Sequence, residues 1–104
     1  MKKIFLSLSI VLSSIVLLAQ TQRVILLEHF TQASCGPCAT YNPAMQALIT
    51  QPGNLSKIVA VKYQTSWPGV DPMNADNPGE VQSRVTLYNV TGVPNSVIDG
   101  VTSV

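Results

Sequence analysis

The residues with the clearest chemical potential are the only two cysteines, Cys35 and Cys38, which are separated by Gly36 and Pro37. Apolar residues recur at helical spacing after the pair, so the sequence predicts a helix that starts at the cysteines. A sulfur at the start of a helix lies beside free backbone N–H groups and the positive end of the helix dipole, which favours thiolate over thiol. The spacing therefore predicts Cys35 as a nucleophile and Cys38 as the thiol that resolves a mixed disulfide.

Other uses of a cysteine pair fit less well. A purely structural disulfide that closes a ring of four residues contributes only about 2 kcal/mol in the chain-entropy model. Zinc needs three or four ligands, and the chain has two cysteines and one histidine. Covalent haem attachment needs a histidine directly after the second cysteine, where this chain has Ala39. We therefore predict a redox role, with no metal and no bound cofactor.

Length and composition limit the remaining classes of function. The chain has 104 residues, 46% hydrophobic and 11% charged, with a formal net charge of +1. This length corresponds to one small domain. Beyond the extreme N-terminus the sequence has no cluster of basic residues, so a nucleic acid is not an expected partner.

The N-terminus has the layout of a signal peptide. Lys2 and Lys3 precede an apolar run that ends at Ala19, and this run is shorter than the roughly 20 residues that a membrane-spanning helix needs. We expect cleavage after Ala19, so that 1–19 is a signal peptide, 20–104 is the mature domain, and the protein is exported to the periplasm or secreted. The alternative is an uncleaved N-terminal anchor. Outside the cytosol a cysteine pair oxidises to a disulfide unless a reductant keeps it in the dithiol form.

The elements that position the cysteines follow from the hydrophobic pattern. Apolar runs at 23–31 and 57–63 predict two buried strands that flank the helix, which gives a right-handed βαβ unit. The segment 64–77 carries turn signals and is predicted to be a surface loop. Asn77 is expected to cap a second helix that begins at Pro78 and places Val81, Val85 and Tyr88 on one face. A third strand is expected to start at 96–98.

Four residues of the predicted loop have weaker functional claims. Trp67 could contact a substrate, but we expect it to pack over the core. Asp71, Asn74 and Asp76 could suggest a cation site, but the loop lacks the ligand spacing and glycine of a calcium motif. We expect these three to be solvated turn residues.

These features resemble the thioredoxin superfamily. The resemblance rests on a hydrophobic strand that ends in Phe30, the Cys-Gly-Pro-Cys tetrapeptide, Pro43 within the helix, and the Gly-Val-Pro sequence that ends at Pro94. It implies a thioredoxin-like α/β fold with Pro94 in a cis bond that faces the cysteines. It also implies that the backbone of Val93 pairs with an extended substrate segment. The segments 27–31, 71–74 and 97–100 resemble the secreted, Omp28-like thioredoxin-fold proteins of Bacteroidetes.

The sequence departs from the thioredoxin pattern beside the cysteines. Ser34 stands where an aromatic residue usually precedes the first cysteine, and Ala39 stands where a basic residue often follows the second. Six residues before the first cysteine, where thioredoxins have a buried acid, this chain has His29, with Glu28 beside it. We therefore expect His29, with Glu28 as a second candidate, to accept the proton of the resolving thiol. The alternative is a packed strand histidine that bonds a backbone group.

The resemblance also implies a closing antiparallel strand and a helix, which we expect to be missing because the domain 20–104 is truncated at its C-terminus. An uncovered sheet edge would favour self-association. The leading hypothesis is an exported thiol:disulfide oxidoreductase that acts on protein disulfide or thiol substrates, more as a reductase than an oxidase, with a membrane-bound redox partner. The rival hypothesis is a redox-idle thioredoxin-fold binding or adhesion module of a larger secreted protein.

Overall fold

A four-stranded sheet forms the centre of the protein, in a computed structural model that describes residues 21–103. The predicted signal peptide 1–19 lies outside the described residues. In the sheet, β1 (Ile25–Thr31) pairs in parallel with β2 (Ile58–Gln64) and antiparallel with β3 (Asn95–Ile98). Two parallel neighbours need a crossover connection, which the helix α1 (Gly36–Thr50) supplies. The strand order is β2-β1-β3-β4, where β4 is Thr102–Ser103.

The helices α1 and α3 (Pro78–Leu87) cover opposite faces of the sheet. On β1, His29 bonds Asn42 of α1, whereas the next residue, Phe30, packs against Val81 and Val85 of α3. Successive side chains of a strand point to opposite faces, so the two contacts assign one face to each helix. The predicted α/β class with a βαβ unit, a second helix and a third strand is confirmed.

The buried apolar core lies on the α3 face. Phe30 is fully buried, and its ring stacks on Tyr63 with 5.1 Å between ring centroids. Burial of an aliphatic or aromatic side chain of this kind stabilises a fold by about 1.5–3 kcal/mol. Trp67 packs against the same cluster, which confirms its predicted packing role. The cluster comprises the buried residues Phe30, Val81, Val85, Val90 and Val97.

The segment predicted to be a surface loop contains a short helix, α2 (Pro72–Asp76). Asp71 caps this helix because its Oδ1 accepts a 2.9 Å hydrogen bond from the Met73 N–H. The amide of Asn74 donates to the Gln64 carbonyl at 2.7 Å and anchors α2 to the end of β2. The prediction of solvated turn residues is therefore wrong for Asp71 and Asn74, which are buried, whereas Asp76 is exposed.

Two further details of the chain path differ from expectation. Asn77 precedes α3 but its side chain makes no capping hydrogen bond. A closing strand was not expected after β3, yet the two-residue β4 pairs antiparallel with it. Residues 99–101 connect the two strands, and Asp99 and Gly100 have φ values of 51° and 71° in a turn that the Val101 N–H closes by donating to the Ile98 carbonyl at 3.0 Å.

Candidate redox site

The cysteine pair lies at the N-terminus of α1 and forms a disulfide between Cys35 and Cys38 with a Cα–Cα distance of 5.2 Å. Cys35 is the N-cap residue of the helix, and its Sγ accepts a hydrogen bond from the Cys38 N–H at 3.1 Å. Pro37 occupies the first turn, where the missing N–H leaves no helical hydrogen bond unmade. The helix therefore begins at the cysteines, as the sequence predicts.

In the disulfide form both cysteines are buried. The relative exposure is 4% for Cys35 and 1% for Cys38. Attack on a substrate by Cys35 therefore requires the reduced state, in which the two sulfurs are no longer bonded to each other.

The backbone carbonyl of Val93, in the segment before β3, lies next to the cysteine pair. Its oxygen lies 3.5 Å from Sγ of Cys35. The sulfur carries no hydrogen while it is in the disulfide, so this is a contact and not a hydrogen bond. The Val93–Pro94 peptide bond is cis, as the resemblance implies for Pro94.

A tight turn leads into Cys35, and the backbone N–H groups of Ala33, Ser34 and Cys35 are hydrogen-bonded. The Gln32 side-chain oxygen accepts from the N–H of Ser34 at 2.6 Å and from its hydroxyl at 2.7 Å. The Cys35 N–H donates to the Gln32 carbonyl at 3.2 Å. The Ala33 N–H donates to Oδ2 of Asp71 at 2.9 Å. The Gln32 amide is thereby fixed in orientation, and its Nε2 is buried with no hydrogen-bond partner among residues 21–103.

His29 lies on the α1 face of the sheet and is 2% exposed. Its Nδ1 is 2.7 Å from Oγ of Ser96, and its Nε2 is 3.0 Å from Oδ1 of Asn42. Because Oδ1 is an acceptor, Nε2 carries the hydrogen in this arrangement. Both ring nitrogens thus bond side chains of β3 and α1, rather than a cysteine sulfur or a backbone group.

Glu28 lies on the opposite face, away from α1. Its carboxylate accepts hydrogen bonds from the hydroxyls of Tyr63 at 3.0 Å and Tyr88 at 2.6 Å, and Arg84 lies 3.6 Å away. Burial, followed by the bond to Glu28, raises the pKa of Tyr63. The bond to Glu28 is the main cause of the raised pKa of Tyr88. The structure therefore separates Glu28 from His29.

A groove of about 590 Å³ lies on the α1 face beside Pro94. Its floor contains His29 and Ser96, and its walls are mainly apolar side chains of α1. Tyr41 and Leu48 on this wall are 63% and 48% exposed. The lining residues are His29, Tyr41, Ala44, Met45, Leu48, Pro94, Asn95 and Ser96.

Neither a metal cluster nor a spanning helix occurs in the part of the chain from 21 to 103. No three His, Cys, Asp or Glu side chains in that range lie close enough together to hold a metal ion. No helix in the same range is both long and apolar enough to cross a membrane.

Comparison with solved structures shows similarity to a thioredoxin. No protein-family model matches the chain, and no curated protein matches it. A mutant thioredoxin from Halobacterium salinarum is 26% identical, with a TM-score of 0.49, and the alignment covers 79% of this chain. The same alignment covers 61% of the thioredoxin, so this chain spans less than two thirds of that protein.

The topology and the site together define the class. The βαβ unit carries a Cys-x-x-Cys disulfide at the start of its helix, and a cis X-Pro bond precedes β3 beside the first cysteine. The chain has a thioredoxin-like fold with a redox-type cysteine pair.

Sequence reasoning located the cysteines, Val93 and Pro94, but missed the support around them. Asp71 was assigned to a solvated turn although it is 4% exposed and bonds the turn before Cys35. One signal for its capping role was available, since an aspartate followed by Pro72 is a favoured N-cap and first-turn pair. Nothing in the local sequence shows that Asp71 also reaches Ala33.

Proposed function

We propose that this protein catalyses thiol:disulfide exchange, with Cys35 as the attacking thiol and Cys38 as the resolving thiol. The proposal rests on one observation above all. The Cys35 sulfur caps the helix that begins beside it, within bonding distance of the Cys38 sulfur. An N-cap sulfur next to free N–H groups is stabilised as the thiolate, which is the reactive form in exchange.

The exchange proceeds in two balanced steps. The Cys35 thiolate attacks one sulfur of a substrate disulfide, forms a mixed disulfide and releases the other substrate sulfur as a thiolate. The Cys38 thiolate then attacks the Cys35 sulfur, releases the second substrate thiolate and forms the Cys35–Cys38 disulfide. The substrate gains two electrons and the protein loses two, so each further turnover needs a thiol donor.

The substrate side of the proposal comes from the Val93–Pro94 segment. The Val93 carbonyl lies next to the Cys35 sulfur, where an extended polypeptide could pair with the backbone as an added strand. We therefore assign protein disulfides as substrates and Val93 and Pro94 as the residues that orient them. The proposal also includes export of the protein, net reduction of the substrate disulfide, and a membrane-bound thiol donor. It includes as well the closer resemblance to the secreted Omp28-like proteins.

A second function has one specific observation in its favour. Both sulfurs are buried in the disulfide form, which is also what a redox-idle pair in a binding or adhesion module would show. The two functions differ in reactivity, because an idle pair resists mild reduction and does not exchange.

Trapping the mixed disulfide tests the proposed chemistry. The Cys38→Ser variant lacks the resolving thiol, so it should retain a disulfide-containing peptide covalently on Cys35, detected by intact mass. Cys35→Ser is the matched control and should retain much less peptide. Equal trapping by the two variants, or none by either, would contradict the assigned roles.

We further propose that His29 accepts the proton of the resolving thiol, as the histidine on the sheet face that α1 covers. The bonds from His29 to Ser96 and Asn42 mean that this transfer needs the ring to exchange one of its partners. His29→Ala should then slow exchange between pH 6 and 8. An unchanged rate over that range would assign His29 to packing alone. Glu28 is not part of this step, because it faces α3.

A further inference from the structure

The carboxylate of Asp71 joins two parts of the chain that are 38 residues apart. Its Oδ1 accepts from the Met73 N–H and caps α2, while its Oδ2 accepts from the Ala33 N–H, both at 2.9 Å. The residue is buried, with a relative exposure of 4%. A charged acceptor shielded from water makes hydrogen bonds that are stronger than those between neutral groups.

The bond to Ala33 completes the turn that presents Cys35. The N–H groups of Ser34 and Cys35 both donate to Gln32, within the turn itself. The Ala33 N–H donates to Asp71, so this bond fixes the turn relative to a distant element. Without the bond from Ala33 to Asp71, the turn would be held only by its own hydrogen bonds and could rotate about the end of β1.

Asp71 itself is held firmly in place. The Asn74 side chain ties α2 to the Gln64 carbonyl, and the Thr65 N–H donates to the Thr31 carbonyl at 2.9 Å, so the ends of β2 and β1 are also joined. Gly69 lies against the Ser34 side chain so closely that a Cβ at this position would collide with it. The segment that carries Asp71 therefore packs directly on the turn before the cysteine.

We propose that Asp71 is a positioning residue of the redox site, which holds the turn at Ala33 so that the Cys35 sulfur stays at the N-cap of α1. The inference rests on the proposed function for its purpose, but it concerns only where the Cys35 sulfur lies relative to the start of α1. It does not require that a substrate be bound.

Asp71→Asn tests this role selectively. Asparagine caps helices about as well as aspartate, so its oxygen can keep the bond to the Met73 N–H. Its amide NH2 then faces the Ala33 N–H and cannot accept from it. The turn is released while the cap of α2 is retained.

The measurement is the rate of Cys35 alkylation by iodoacetamide as a function of pH, in reduced protein that carries Cys38→Ser in every sample. If the sulfur leaves the N-cap, its thiolate loses the stabilising N–H groups, and the pH midpoint of alkylation should rise by about one unit. Removal of a negative charge acting only through space would instead lower the midpoint. The sign of the change thus separates positioning from a simple charge effect.

A matched variant controls for other effects. Asp76→Asn removes an exposed carboxylate from the same helix without touching the turn, and it should not raise the midpoint. If Asp71→Asn does not fold, as judged by circular dichroism, Asp71→Ser keeps one capping oxygen, lacks the second and should give the same rise.

The outcomes are distinguishable from those of the proposed function. A raised midpoint for the Asp71 variant alone supports the inference, and an unchanged or lowered midpoint overturns it. Alkylation needs no disulfide exchange, so this result stands even if the unmodified protein fails to exchange with substrates.

Discussion

At the scale of single residues, the buried carboxylate of Glu28 is stabilised by contacts with its neighbours. It is a carboxylate with 1% relative exposure, and the hydroxyls of Tyr63 and Tyr88 donate to its two oxygens. A buried charge is tolerated only where hydrogen bonds and an opposite charge replace water. Here Arg84, at 3.6 Å, provides the opposite charge. Glu28 therefore acts as a structural group on the α3 face.

Removing one donor from this carboxylate should be costly. Tyr88→Phe leaves Oε2 of Glu28 without its 2.6 Å hydrogen bond, and an unsatisfied buried polar atom costs about 1–3 kcal/mol. We expect urea unfolding to show a loss of that size. Tyr41→Phe, at an exposed position on α1, should change stability by much less. Equal effects of the two variants would show that the Glu28 contacts contribute little.

The same contacts predict how stability varies at high pH. The pKa values of Tyr63 and Tyr88 are raised in the folded protein from an ordinary value of 10.0. A group with a raised pKa stabilises the fold fully below its unfolded pKa, and this contribution is lost as the pH rises through the folded pKa. Stability should therefore fall above about pH 10, and Tyr88→Phe should make that fall shallower. Unfolding curves of both proteins between pH 9 and 11 that decline in parallel would contradict this.

At the scale of secondary structure, the sequence predicted the elements with a clear hydrophobic pattern and missed two short ones, α2 and β4. Long apolar runs identified β1 and β2, and Val81 and Val85 identified the buried face of α3. The helix α2 has five residues, too few for a repeating pattern. It is held by bonds from Asp71 to Ala33 and from Asn74 to Gln64, and such long-range partners are not encoded in local sequence.

Part of the candidate site, too, could be predicted from sequence and part could not. The Cys-Gly-Pro-Cys and Gly-Val-Pro motifs lie within a few residues each, so Cys35, Cys38, Val93 and Pro94 could be named from sequence. The sequence could not show whether His29 faces the cysteine helix or the core. Strand register decides the face, and a shift of one residue reverses it. The structure gives His29 to the α1 face and Glu28 to the α3 face.

The first turn of α1 should tolerate loss of its disulfide. The bond closes a ring of only four residues, which stabilises the fold by about 2 kcal/mol in the chain-entropy model. Reduction should therefore lower the free energy of unfolding modestly and leave the protein folded. Cys35→Ser combined with Cys38→Ala keeps a capping side chain at the helix start and should match the reduced protein in denaturant melts. Complete unfolding on reduction would show that the disulfide holds the fold together.

At the scale of the whole molecule, the α1 face carries an apolar groove next to the redox site. Tyr41 and Leu48 on its wall are substantially exposed. Exposed apolar surface of this kind favours association, as do unpaired strand edges.

This surface leads to a prediction about oligomeric state. We expect the protein to self-associate at micromolar concentration in sedimentation velocity, and Leu48→Lys to shift it towards monomer by placing a charge on the groove wall. Leu55→Lys adds the same charge at an exposed leucine outside the groove and should have less effect. A monomeric wild-type protein with a sharp cooperative melt would contradict the prediction.

The most direct test of the central claim is a redox titration of the protein against glutathione. Samples are equilibrated at a series of ratios of reduced to oxidised glutathione, quenched with an alkylating agent and read by intact mass. We predict a reversible two-electron transition between the Cys35–Cys38 disulfide and the dithiol, with a midpoint more reducing than that of glutathione if the protein acts as a reductase. A pair that stays oxidised at every ratio, or that does not re-form after reduction, would contradict an exchange function and favour the binding module.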